Sequence, residues 1–276
     1  MARLPAKQLV LWLAVAAIVV FCLFPFYWLI NTSLKSGADL SGADLLPPTP
    51  TIDNYTSIFE DDNFVMALRN SAIIAGSVTT LCLVIGSFAG YALARLHLPF
   101  KFVILAILLS ISTFPPIAIA APVFELWTDI GLYNTYLGLI LPSHAFGLPL
   151  TVYILASFFR EIPRELEEAA LVDGATRFQA FRKIIVPLAA PGVVTAGLLV
   201  FIFVWNEFLF AITLTSTPER RPVPAAIAFF TGSQQFEIPL GTISAASVVV
   251  TVPLIILVLI FQRRIVAGLT AGAVKG

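Results

Sequence analysis

Six intervals of this chain, residues 8–34, 70–94, 102–124, 130–159, 184–206 and 238–262, contain no Asp, Glu, Lys or Arg. Each is long enough for a helix to cross the hydrocarbon layer, which takes roughly 20 apolar residues. In lipid every backbone N–H and C=O must be satisfied within the protein, so intervals of this kind fold as a helical bundle. The expected spans are about Leu9–Ile30, Ala72–Ala94, Phe102–Phe124, Thr135–Phe159, Gly192–Ile212 and Thr242–Phe261. Pro142, Pro149 and Pro253 fall inside them, where membrane bundles tolerate proline. The expectation is an all-α polytopic membrane bundle of six transmembrane helices. Composition agrees, because only 12% of the residues are charged and the mean hydropathy is +0.95; soluble domains carry about 25% charged residues.

Lys and Arg placement gives the expected orientation. With the N-terminus inside, the cytoplasmic segments hold Arg3, Lys7, Arg95, Lys101, Arg160, Arg164, Arg177, Arg182, Lys183, Arg263, Arg264 and Lys275. The outer segments hold only Lys35, Arg69, Arg220 and Arg221. This positive-inside bias places both termini in the cytoplasm. The first apolar run follows Arg3 and Lys7 but exceeds a usual signal core and has no small-x-small cleavage site, so it is read as an anchor. Cys22 and Cys82 both fall in expected spans and are read as packing residues. A formal net charge of zero gives no ground for a nucleic-acid partner.

Two polar segments interrupt the apolar pattern. In the outer loop 31–71, apolar residues at 55, 58, 59, 65, 66 and 68 suggest an amphipathic helix lying on the surface. That loop is either a solvated cap or a docking surface for an extracytoplasmic partner. The second segment is EEAALVDGATRFQAFRKIIVP, residues 167–187, on the cytoplasmic side. Pro163 can begin a helix there, and Leu166, Ala169 and Ala170 form a narrow apolar face. Asp173-Gly174 ends it, because glycine accepts the left-handed conformation. Thr176 can cap a second helix in which Phe178, Phe181 and Ile185 align. Periodicity alone leaves a protruding helix–turn–helix knob and a membrane-lying amphipathic loop equally open.

The spacing of this segment resembles the EAA loop of ABC-importer permeases, written E-A-A, three residues, G, nine residues, I-x-L-P. Here Glu168-Ala169-Ala170 is followed by Gly174, Ile184 and Val186-Pro187, with valine in place of leucine. FPFYWLINTSLK, NYTSIF with LRNSAIIA, WNEFLFAITLT and the terminal GLTAGAVKG are similar to the second permease subunit of the maltose-type carbohydrate branch. QAFRKIIVPLAAPG, FTGSQQFE and FQRRIVAGLTAGAVKG resemble those of actinobacterial trehalose importers.

The resemblance implies a type I ABC importer permease fold in one transmembrane domain of a bacterial cell membrane. Residues 1–71 would form the first span and outer loop, 72–262 a permease core with its EAA loop at 161–191, and 263–276 a cytoplasmic tail. The partners it implies are a second homologous permease, two copies of a cytoplasmic ABC ATPase, an extracytoplasmic sugar-binding lipoprotein and membrane lipid. ATP and Mg would sit on the ATPases, with no cofactor in this chain. The implied coupling residues are Glu168, Ala169, Ala170, Asp173, Gly174, Arg177, Phe178, Phe181, Ile184 and Pro187, with Leu166 and the two phenylalanines filling an ATPase groove. Gly268, Gly272 and Lys275 would lie in an ATPase-contacting tail. The implied cargo is a disaccharide such as trehalose, then maltose or another α-glucoside.

Catalytic patterns are absent from the sequence. No G-x-x-x-x-G-K-[ST] loop occurs, so ATP hydrolysis would belong to a partner and the chain is not read as an enzyme. His97 and His144 are the only histidines, read as a solvated and a packed side chain respectively, and no spacing suggests a metal site. Glu207 is the acidic residue well inside an expected span, where a charge costs about 2.5–3.5 kcal/mol on insertion scales. With Trp205 and Asn206 it would either line a sugar path or make a hydrogen bond that holds the fifth helix. An ion-coupled secondary transporter is the alternative reading, although such proteins usually carry several intramembrane ionisable groups.

Overall fold

The computed structural model describes residues 6–230 and 239–271, and among them the regular structure is entirely helical. Four helices are long and apolar enough to cross a bilayer. They are α1 (Ala6–Ser33), α3 (Asp62–Arg95), α6 (Tyr136–Glu161) and α13 (Leu240–Ala271, apolar over Leu240–Gln262). The short helices α2 (Asp53–Glu60) and α12 (Val223–Ala228) come before α3 and α13 in chain order.

Two expected straight spans are broken. Residues 102–124 divide into α4 (Lys101–Thr113) and α5 (Pro116–Asp129), bent by 85°. Pro115 and Pro116 supply no N–H, and a residue before proline is driven out of the α region; Phe114 and Pro115 accordingly take ψ of 132° and 118°. Residues 192–212 fall in α10 (Ala190–Trp205) and α11 (Leu209–Leu214), separated at Asn206–Phe208. The expected surface helix over 55–68 is also two elements. It breaks at Asp61, whose Oδ1 accepts a hydrogen bond from the Asn63 N–H (2.9 Å) and so starts α3 afresh.

The chain forms two compact units. The first comprises residues 1–65 and 227–253. Within it, α1 is exposed along its apolar length, and its end is stitched by buried polar groups. Lys35 is fully enclosed, donating from Nζ to the Asp44 carbonyl (2.9 Å) and lying 5.3 Å from the Trp28 ring centroid. Asn54 donates to the carbonyls of Ser33 and Lys35 (2.9 and 2.8 Å). The buried ammonium is compensated by the Asp44 and Gly42 carbonyls and by the face of the Trp28 ring.

The second unit comprises residues 66–226 and 254–276. Its α6 packs against α4 and α10 and runs beside α3. A Cβ at Gly86 would meet Thr151, one at Gly90 would meet Leu155 and Ala156, and one at Gly147 would lie 3.2 Å from the Cys82 Sγ. These contacts advance together along both helices, so α3 and α6 run parallel. Small residues four apart let the two backbones approach closely. Cys82 is buried in this seam and Cys22 is exposed on α1; both are free.

Candidate functional site

At the Arg95 end of α3 the chain leaves α6 and turns back on itself. Pro163 stands at the N-cap of α7 (Arg164–Val172). The helix stops where Gly174 takes a φ of +86°. The Ala175 N–H then reaches the Ala170 carbonyl (2.9 Å) and the Gly174 N–H reaches Leu171 (3.1 Å), a left-handed closure that satisfies otherwise orphaned carbonyls. Thr176 caps α8 (Arg177–Ala180) through a reciprocal pair with Gln179. A π-helical stretch, Phe181–Ile185, and the short α9 (Val186–Leu188) follow, and the segment meets α10 at a 75° bend. Pro187 and Pro191 remove donors on both sides of that bend. The product is a hairpin of short helices with defined closures at its turn.

The hairpin is fastened to α3 by side chains. Glu167 accepts a hydrogen bond from the Tyr91 hydroxyl and forms an ion pair with Arg95 (Nε–Oε2 3.6 Å). Arg95 also donates from Nη2 to the Ile162 carbonyl (2.6 Å), at the joint between α6 and α7. Beneath them Phe181 packs against Phe88, Tyr91 and Phe159, with centroids 4.9–6.2 Å apart. Ile185, Ala189 and Ala196 complete this core. A cavity of about 240 Å³ opens beside the ion pair, lined by Tyr91, Arg95, His97, Arg164, Glu167 and Arg177 among others.

The residues singled out from sequence divide between two faces. Ala170 is buried and Ile184 half-buried, while Glu168, Ala169, Asp173, Gly174, Arg177 and Pro187 are exposed. Phe178 is 57% exposed, whereas Phe181 is only 6% exposed and belongs to the chain's own core. Phe181 therefore cannot fill a partner's groove, contrary to expectation; it holds the hairpin from below. Leu166 is exposed as well, and Val172, not singled out from sequence, is 87% exposed at the hairpin tip. An apolar residue at the last helical position before Asp173-Gly174 was the signal for it. Tyr91 and Glu167 were missed too, and no spacing rule links them.

Elsewhere, Glu207 accepts hydrogen bonds from the backbone N–H groups of Phe210 (2.8 Å) and Ala211 (3.0 Å). It caps α11 rather than bridging two helices, which is why the helix breaks there. Trp205 is buried and lies 5.5 Å from Phe201, while Asn206 is exposed and donates to the Ile202 carbonyl (2.8 Å). Of the three, Trp205 is buried, Glu207 half-buried and Asn206 exposed. His97 is exposed, and His144 has a buried Nε2 without a hydrogen-bond partner. Gly268 lies on α13; Gly272 and Lys275 lie outside the described residues.

The opposite end of α3 carries a different fastening. Asn70 is fully buried, donating to the carbonyls of Glu219 (3.0 Å) and Arg221 (2.9 Å) and accepting from the Tyr136 hydroxyl (2.7 Å). Ser71 accepts from the Val223 N–H (2.9 Å). Asn134 binds the backbone of Ser216 (3.1 Å) and the Thr217 hydroxyl (3.1 Å).

A model of the family described as binding-protein-dependent transport system inner membrane component matches residues 82–270, which include the whole hairpin. The chain belongs to this family. It is the membrane component of a transport system, and nucleotide hydrolysis in such systems sits on a separate subunit. Among its relatives, the trehalose transport system permease protein SugB of Mycobacterium tuberculosis is 51% identical, over 98% of this chain and 99% of its own. The sulfoquinovosyl glycerol transport system permease protein SmoH of Agrobacterium fabrum is 43% identical, over 96% of this chain and 93% of its own. The crystal structure of a bacterial ABC transporter involved in the import of the acidic polysaccharide alginate contains a chain of the same fold. That chain is 23% identical with a TM-score of 0.76, over 95% of this chain and 99% of its own. These findings leave the ion-coupled alternative without support.

Proposed function

We propose that the chain is one permease subunit of an ATP-driven sugar importer, and that residues 164–188 are its coupling element. The observation that carries this reading is the hairpin itself. It is closed at Gly174, capped at Thr176, tied to α3 through Glu167, and still presents Leu166, Val172 and Phe178 to the outside. An element that passes on displacement must be stiff, and an apolar tip beside exposed charges suits a groove on another subunit.

In this reading the bent pair α4–α5 counts as one span and α10 with α11 as another, which makes six, with both termini cytoplasmic. Two cytoplasmic ATPases bearing ATP and Mg, a second permease and an extracytoplasmic sugar-binding protein complete the assembly. The family's dependence on a binding protein supports the last of these. A loaded binding protein meets the outer loops, ATP draws the ATPases together, and the hairpin carries that movement into the bundle, which opens outward to receive the sugar. Hydrolysis restores the inward state. The tail residues Gly268, Gly272 and Lys275 reach the ATPase interface.

Trehalose is the proposed cargo, with maltose or another α-glucoside next, on the strength of the 51% identity to SugB. The test is uptake in proteoliposomes holding the full complex, with a panel of disaccharides presented on the binding protein. Uptake that requires ATP and prefers trehalose is expected. Uptake driven by an ion gradient without ATP would contradict the assignment, and a preference for another sugar would correct the cargo alone.

A further inference from the structure

The family motif draws attention to Glu168, but the residue that grips the rest of the molecule is its neighbour. Glu168 is exposed and forms no ion pair among the described residues, whereas Glu167 is held by both Tyr91 and Arg95. We propose that Glu167, clasped by Tyr91 and Arg95, is the positioning residue that fixes the hairpin's angle to α3 and so makes α3 follow the hairpin's movement. This rests on the coupling role proposed above.

The hairpin joins the chain at two breaks. Ile162 and Pro163 are extended at one end, with ψ of 129° and 135°, and the other end is the 75° bend into α10. Neither joint resists rotation as a continuous helix would. The helix α3 is not a chain neighbour of the hairpin, so force passes to it from α7 and α8 directly through side chains, beside the seam that α3 shares with α6. Phe181 packs on the Phe88 and Tyr91 rings of α3 at centroid distances of 5.3 and 4.9 Å, and the polar contacts of Glu167 stand beside that packing. The hydrogen bond from the Tyr91 hydroxyl to the Glu167 carboxylate is directional and, being charge-assisted, stronger than a neutral one, and Arg95 adds an ion pair at 3.6 Å. Arg95 adds the Ile162 carbonyl to the same guanidinium, so one side chain holds both the joint and the first helix beyond it. The pair is sheltered, with the Arg95 and Glu167 side chains 5% and 14% exposed.

The test uses the complete transporter in lipid nanodiscs or proteoliposomes and reads sugar moved per ATP hydrolysed, together with the KM for ATP and the thermal melting point. Glu167→Gln removes the charge and keeps the shape; Tyr91→Phe removes only the hydroxyl. The expected result is a sugar-to-ATP ratio about fivefold lower in Glu167→Gln and lowered to a lesser degree in Tyr91→Phe, with the KM for ATP unchanged. A wild-type ratio in both variants overturns the proposal. So does a fall in transport that ATP hydrolysis matches in proportion, with a lower melting point, because that is a merely structural effect. Should Glu167→Gln not assemble, Tyr91→Phe decides by the same readout. Glu168→Lys, run in parallel, separates the two layers: uncoupling there with wild-type ratios in Glu167→Gln and Tyr91→Phe sinks the clasp and leaves the hairpin's role standing. Wild-type behaviour in all three sinks both.

Discussion

The two ends of α3 are fastened to the rest of their unit by opposite chemistries. At Asn70 the bonds are neutral and run mostly to backbone: an amide reaches two carbonyls of the 219–221 loop and accepts from Tyr136. At Arg95 they are charged: a guanidinium and a phenol converge on one carboxylate of the hairpin. A neutral amide buried among carbonyls has no lower-energy alternative short of local unfolding, since each partner left unmet costs about 1–3 kcal/mol. The Arg95–Glu167 pair is sheltered as well, and parting it would leave two charges without their partner beside a cavity lined by other charged side chains. The Asn70 end is thus held by neutral bonds to backbone, and the Arg95 end by charged groups shared with the hairpin.

The sharpest way to break this contrast is at the hairpin's turn. Gly174→Pro forces φ to about −65° where the chain needs +86° and removes the N–H bonded to Leu171. It should cost the turn about 3 kcal/mol or more and abolish transport while the chain still inserts, read by uptake against membrane-fraction yield. Nothing lies within 4 Å of a Cβ at Gly174, so the loss would come from backbone conformation alone. At the other end, Asn70→Ala strands two carbonyls and a phenol and should cost about 3 kcal/mol of stability. The surviving complexes should keep the wild-type ratio of sugar to ATP, measured alongside the melting temperature. A changed ratio would erase the distinction between the ends.

Smaller effects sharpen it. Gly90→Val places carbon against the Ala156 nitrogen at 3.0 Å and the Leu155 Cβ at 3.1 Å in the α3–α6 seam. Overpacking of this kind costs about 1–3 kcal/mol, and because the seam joins the two ends, both stability and the transport ratio should fall. Phe178→Ala removes a ring that is mostly exposed. Because the ring also stacks on Phe88 and packs on Phe181, its loss should cost the isolated permease about 1 kcal/mol and, beyond that, weaken retention of the ATPase when the complex is purified.

The helical class and the hairpin were legible because their causes are local. Charge-free intervals report the bilayer's demand directly, and Asp173-Gly174 with Thr176 marks one helix end and the next start within four residues. The break at Pro115-Pro116 was equally local, but hydropathy continues across it and masked the turn. The break at Asn206 was not visible, since a glutamate in an apolar run reads as a path residue or as a bond between helices until its carboxylate is found capping α11. Phe181 shows a different limit. Helical spacing identifies an apolar face without saying whether the chain itself or another subunit covers it. Glu167 and Tyr91 are 76 residues apart, and only the parallel run of α3 beside α6 brings them together.

Cross-linking tests the contrast between the two ends most directly. In the intact complex, with Cys22 and Cys82 replaced, single cysteines at Phe178 on the hairpin and at Glu219 in the loop held by Asn70 would be treated with a short bifunctional reagent. The account predicts that Phe178→Cys links to the nucleotide-hydrolysing subunit and Glu219→Cys does not. A link from Glu219→Cys with none from Phe178→Cys would contradict it.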